Sequence, residues 1–155
     1  MQKESVWDYP RPPRLERFSG HLRIVQQGII LVDSNRAFRI LETSHPPTYY
    51  IPRADIKMEY LKANPSQSFC EFKGRASYYD LDMGGQYISK IAWYYPQPAK
   101  TYASIKDYLC FYASKMDECY VNDERVQAQE GDFYGGWITE NIKGPFKGGP
   151  GTFGW

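Results

Sequence analysis

Short β-prone runs broken by tight turn pairs recur through most of this chain, and nothing else in it constrains the fold as much. Leu22, Ile24 and Val25 precede Gln27-Gly28, and Ile29 to Val32 follow, which is the pattern of a hairpin. Asp82-Met83-Gly84-Gly85 joins the runs 76–81 and 87–93 in the same way. Asn122-Asp123 separates Cys119-Tyr120-Val121 from Arg125-Val126. Further short strands are expected at 37–41 and 48–51 around a Pro46-Pro47 corner, and at 58–61 and 69–73. One stretch has another period. Ile105, Leu109, Tyr112 and Met116 recur at helical spacing and predict a short amphipathic helix near 102–116, with Thr101 or Ser104 at its start.

These elements predict a mainly β domain over 21–155, preceded by an extended proline-rich arm over 1–20. In the arm, Trp7-Asp8-Tyr9-Pro10-Arg11-Pro12-Pro13 favours polyproline geometry. Packing of Trp7 and Tyr9 on the body is the preferred reading, and a docking segment for another domain is the alternative. Beyond Gly131 the chain is rich in glycine, yet it carries Phe133, Tyr134, Trp137, Phe146, Phe153 and Trp155. Such a tail is expected to lie against the body as a loop.

Composition narrows the partners. Net charge is +1, from 19 basic and 18 acidic side chains that are interspersed along the chain. A nucleic-acid surface normally needs a basic stripe, so no nucleic acid is expected. The longest aliphatic run, Ile29-Ile30-Leu31-Val32, is far too short to span a bilayer, and no membrane is expected either. The polar start of the chain does not read as a secretory signal. Three cysteines, Cys70, Cys110 and Cys119, form an odd set without close pairing, which fits reduced thiols in a cytoplasm. Aromatic residues make up 17% of the chain, and such rings suit half-buried strand faces and ligand clefts alike. The expected partner is a small-molecule ligand. Self-association into a homo-oligomer is left open.

The densest polar cluster is Glu42-Thr43-Ser44-His45-Pro46-Pro47-Thr48-Tyr49-Tyr50. Prolines hold the backbone still there, so His45 could serve as a general base oriented by Glu42. The plainer alternative is a histidine making one structural hydrogen bond. In 70–80, alternation sends Phe72, Gly74, Ala76 and Tyr78 one way and Glu71, Lys73, Arg75, Ser77 and Tyr79 the other. If the second face lines a cleft, Glu71 and Lys73 form an acid–base pair; otherwise it is simply a solvated face. Asp80-Leu81-Asp82 has the spacing of carboxylates that hold Mg²⁺ against phosphates, although such a tripeptide before a glycine turn arises easily by chance. Lys147, among glycines, could meet a phosphate or carboxylate. With two distant histidines and no C-x-x-C pair, no metal or other cofactor is legible. Cys70 and Cys119 read as buried structural thiols.

Several motifs taken together resemble a known family. They are Trp7-x-Tyr9-Pro10-Arg11-Pro12-Pro13, the Glu42 to Tyr50 segment, and Cys70-Glu71-Phe72-Lys73-Gly74. Ala92-Trp93-x-Tyr95-Pro96-x-Pro98, Tyr134-x-Gly136-Trp137-Ile138-Thr139 and Gly144-Pro145-Phe146-Lys147-Gly148 follow in order. The set is similar to the family catalogued as domain of unknown function 427, sometimes labelled nucleotidyltransferase-like. The resemblance implies a β-tent of two antiparallel sheets set at an angle. Many such folds carry a four-cysteine zinc site, and those cysteines are missing here. The paired-carboxylate signature of a nucleotidyltransferase is missing too. The resemblance also suggests a ligand on a sheet face among rings.

The leading expectation is therefore a pocket that binds, or acts on, a small polar molecule such as a sugar or nucleotide. Trp93, Tyr95, Tyr49 and Trp137 would supply rings, with Glu42, Ser44 and Lys147 as polar contacts. His45 or Glu71 would be the acid–base residue and Lys73 the electrostatic stabiliser. The rivals are a protein-interaction module using the arm, and a nucleotidyltransferase-like enzyme using Asp80, Asp82 and Lys147.

Overall fold

Gln27 and Gly28 take left-handed φ values of 49° and 75°, the geometry that lets a two-residue turn match strand twist. They join Leu22–Gln26 to Ile29–Ser34. Asn122 and Asp123 (φ 49° and 68°) do the same between Glu118–Val121 and Glu124–Arg125. Between Gly74–Asp82 and Tyr87–Tyr94, the Asp82 carboxylate accepts the Gly84 N–H at 3.1 Å and shapes the turn. All three hairpins form where turn chemistry predicts them.

The computed structural model of the chain describes residues 3–131 and 134–155. The tail ring Phe133 and the arm's first two residues lie outside the described residues. The described chain is mainly β. One four-stranded antiparallel sheet runs in the order Cys110–Phe111, Tyr87–Tyr94, Gly74–Asp82, Leu61–Cys70. A second runs Glu124–Arg125, Glu118–Val121, Leu22–Gln26, Ile29–Ser34. A three-stranded antiparallel sheet joins Arg14–Arg17, Phe38–Leu41 and Thr48–Tyr50. No described helix is long and apolar enough to cross a membrane.

Two interiors lie on opposite faces of shared strands. Leu22, Ile24, Leu31, Val32, Leu81, Ile91, Phe111 and Trp137 belong to a largely aliphatic core. Ile40, Tyr50, Ala76, Tyr78, Trp93, Tyr95, Cys110 and Tyr112 form a second core dominated by tyrosines. Strand parity does the sorting. Tyr49 joins the first core and its neighbour Tyr50 the second; Phe111 joins the first while Cys110 and Tyr112 join the second.

Three expectations fail. Residues 58–61 are not a strand: Met58–Tyr60 is a 3₁₀ turn, and the strand begins only at Leu61. Residues 102–116 are not an α-helix: a 3₁₀ segment, Lys100–Ile105, gives way to Asp107 with φ 63°, the strand Cys110–Phe111 and a short 3₁₀ turn, Ala113–Lys115. Tyr102, Ile105, Leu109, Tyr112 and Met116 are still buried, so the apolar spacing is satisfied by a turn followed by a strand. Ladder bonding of Cys110–Phe111 to Trp93 and Ala92 outweighs the weak helical preference of those β-prone residues. Nor does a strand run through 69–73. Leu61–Cys70 ends at Cys70, and Glu71 to Lys73 form the turn into Gly74–Asp82. Gly74 takes φ 110° there.

The arm is woven into the body. Glu4–Ser5 pairs with Ile142–Lys143, the Trp7 indole N–H donates to the Pro145 carbonyl at 2.8 Å, and the Tyr102 hydroxyl donates to the Pro13 carbonyl at 2.6 Å. Arg39 ties it further, bonding Glu4 at 2.9 Å and Glu16 at 2.8 Å.

Trp137 is fully buried, donates its indole N–H to the Phe111 carbonyl at 3.0 Å and packs on Tyr49. Trp137→Ala should destabilise the fold by about 3–5 kcal/mol in urea denaturation, from the cavity and the stranded carbonyl.

Candidate functional site

A cavity of about 270 Å³ opens over the tyrosine-rich core. Register builds its floor. Tyr78 lies opposite Trp93, Trp93 opposite Cys110, and Ser68 opposite Ala76, so same-face side chains from four strands meet. Ile40, Thr48 and Tyr50 reach the same space from the three-stranded sheet, where Ile40 pairs with Thr48.

The loop 42–47 forms one side. His45 N–H donates to the Glu42 carbonyl at 3.0 Å, and Ser44 sits at φ 72° with its N–H on the Val6 carbonyl. The Thr43 hydroxyl donates to the Tyr9 carbonyl at 2.6 Å. The Ser44 carbonyl accepts the Lys147 N–H at 2.8 Å, which brings the glycine-rich tail alongside. Close approach of that tail requires glycine at two positions. A side chain on Gly135 (φ 78°) would strike the Trp93 ring at 2.7 Å, and one on Gly136 would strike Pro46 at 2.5 Å.

Gln129, almost fully buried, locks the parts together. Its amide oxygen accepts the Gly136 N–H at 3.0 Å, so its NH₂ group must face the other way. That NH₂ donates to the Lys147 carbonyl at 2.7 Å and to His45 Nδ1 at 3.1 Å. A ring nitrogen that accepts from an amide carries no proton. His45 is therefore the Nε2–H tautomer, a neutral donor on the cavity wall. Burial lowers its pKa to about 4, and the charges of Lys147, Arg11 and Lys73 push the same way. At neutral pH its Nδ1 lone pair is already engaged by the Gln129 amide, so on that side the structural reading of a hydrogen-bonded histidine applies.

Lys73 is the unusual charge. Its side chain lines the cavity and the residue is only 8% exposed, yet its ammonium has no ion pair or hydrogen bond among the described residues. Lys147 Nζ donates to the Trp155 main-chain oxygen at 3.3 Å and lies 5.5 Å from the Tyr134 ring centroid. Glu42 is answered by Arg11 at 3.6 Å. Glu71 sits exposed at the rim.

The structure thus gathers Glu42, His45, Glu71, Lys73, Trp93, Tyr95 and Lys147 around one hollow. It leaves three expected residues out. Tyr49 and Trp137 point into the aliphatic core, by parity in the first case. The Ser44 hydroxyl is buried without a partner among the described residues and does not line the hollow. Glu71 and Lys73 make no ion pair, because a turn rather than a strand face holds them, one exposed and one buried. Cys119 is buried, its thiol pushed up to about 12, whereas Cys70 is half-buried on the cavity wall.

Asp80 and Asp82 serve the fold. Asp80 accepts from Asn64, Tyr87 and the Lys90 N–H. Burial would raise its pKa, but those hydrogen bonds outweigh burial and hold it low. Among the described residues no group of three or more His, Cys, Asp or Glu could hold a metal ion. Missed from sequence were Tyr50, Tyr78 and Tyr112, which strand parity with Thr48 and Trp93 marks, and Gln129, which no local signal marks.

A family model described as a domain of unknown function (DUF427) and labelled NTP_transf_9 matches residues 14–122. No curated protein matches the chain.

Because His45 is held neutral, its contribution to stability is complete above its ordinary value of 6.5 and is lost as pH falls to about 4, where the folded state finally takes up the proton. An NMR titration should show the Nε2–H tautomer with a midpoint near 4. In Gln129→Glu a carboxylate would face Nδ1, and the midpoint should rise above 6.5 with the proton moved to Nδ1.

Proposed function

The chain belongs to that family of unknown function, and we propose that it binds a small organic anion in the hollow over its tyrosine-rich core. One observation carries the reading. An ammonium removed from most of its water and left without a counter-ion is unfavourable unless something negative arrives. Lys73 approaches that condition: the residue is 8% exposed, lines the cavity and has no counter-ion among the described residues.

The surroundings support an anion rather than a cation. His45 offers Nε2–H, a donor only, and its pKa is depressed first by burial and then by the positive charges of Lys147, Arg11 and Lys73. Glu42 is neutralised by Arg11, and Glu71 stands at the solvent edge. Apolar and aromatic walls with a few convergent donors are the usual make-up of a metabolite pocket. A volume of about 270 Å³ suits a ligand with one ring or a short chain.

A bound carboxylate or phosphate would accept from Lys73 and His45, with Trp93 and the half-buried Tyr134 flanking its body. If turnover occurs, Lys73 stabilises developing negative charge and His45 acts as an electrophile through Nε2–H rather than as a base.

In thermal-shift measurements, millimolar organic anions should raise the melting temperature of the wild type. Lys73→Met should abolish that response while leaving the unliganded protein folded and at least as stable, since an unpaired buried charge is removed. It should also let the His45 titration midpoint climb from about 4. An unchanged anion response in Lys73→Met would sink the reading.

A further inference from the structure

The floor of the hollow presents hydroxyls rather than bare rings. Ser68 Oγ and Tyr78 OH lie 2.7 Å apart, and either one can be the donor. This Ser68–Tyr78 pair makes a short relay on the floor, which Tyr112 also lines. A further tyrosine, Tyr50, lines the same space. Each hydroxyl has one proton and two lone pairs, so such a relay retains acceptor capacity that its internal bonds do not use.

That capacity discriminates between ligand bodies. A hydrocarbon chain laid over the relay would seal polar atoms against an apolar surface and leave their remaining capacity unmet. A ligand carrying its own hydroxyls both gives and takes, and the rotors of Ser68 and Tyr78 can turn to suit it. The apolar C–H face of a sugar ring would meanwhile pack on the neighbouring Trp93.

Building on the anion-binding reading above, we infer that the ligand is a polyhydroxylated anion of single-ring size, a sugar acid or a sugar phosphate. Its anionic group lies against Lys73 and His45, and its hydroxyls lie over Ser68 and Tyr78.

Isothermal titration calorimetry tests this with glucuronate, gluconate and glucose 6-phosphate as hydroxylated anions. Hexanoate and inorganic phosphate serve as bare anions, and glucose as the uncharged body. At least one hydroxylated anion should bind tenfold or more tighter than its bare counterpart and than glucose. A carboxylate or a phosphate winner identifies the head group. Ser68→Ala and Tyr78→Phe should each weaken that ligand about tenfold, the worth of one good hydrogen bond, and leave hexanoate and phosphate unchanged. Bare anions binding as tightly as hydroxylated ones would overturn the sugar assignment and leave the anion site standing. Binding by none of the anions would overturn both. Equal weakening of every probe in the two variants would assign the relay a structural role and overturn the inference.

Discussion

Neighbouring residues of a strand point to opposite faces, and in this chain that parity separates two interiors of different character. The strands that the interiors share send Phe111, Ala92 and Tyr49 into an aliphatic core, and Tyr112, Trp93 and Tyr50 into a tyrosine-lined one. The first interior is closed over by its neighbours, with Leu22, Ile24, Leu31 and Trp137 fully buried. The second is capped incompletely, and the incomplete part is the hollow. A one-residue slip of any of these strands would exchange the two sets and erase it.

Within the hollow, charge is arranged by subtraction. Each carboxylate that could neutralise the lysines is occupied or displaced: Glu42 by Arg11, Glu71 by the turn that carries it to the rim. Gln129, an uncharged side chain, then fixes which face of His45 looks inward. A histidine beside a carboxylate would have become a base or a cation. Beside an amide it becomes a neutral donor. The difference lies wholly in a residue 84 positions away along the chain.

Local chemistry made the hairpins legible, because Gln27-Gly28 and Asn122-Asp123 need no tertiary help to turn. The spacing of Ile105, Leu109, Tyr112 and Met116 misled, since a 3₁₀ turn followed by a strand buries the same positions as a helix. Of the polar residues singled out in the sequence, most converge on one hollow, because prolines and glycines mark the loops that form its rim. Adjacent tyrosines such as Tyr49 and Tyr50 are equivalent in the sequence until a partner strand fixes which one faces the hollow. Gln129 carried no signal at all, as its role exists only once Gly136 and Lys147 are brought beside it.

The floor of the hollow belongs to paired strands, whereas its wall is built from loops that the Gln129 amide and a main-chain bond from Lys147 to Ser44 hold together. Those two parts answer to different demands. Ladder bonds fix the floor as a condition of folding at all, while His45, Gln129 and Lys147 on the wall lie outside the ladders of the long-stranded sheet. A scaffold divided this way lets recognition drift from one metabolite to another while the architecture stays constant.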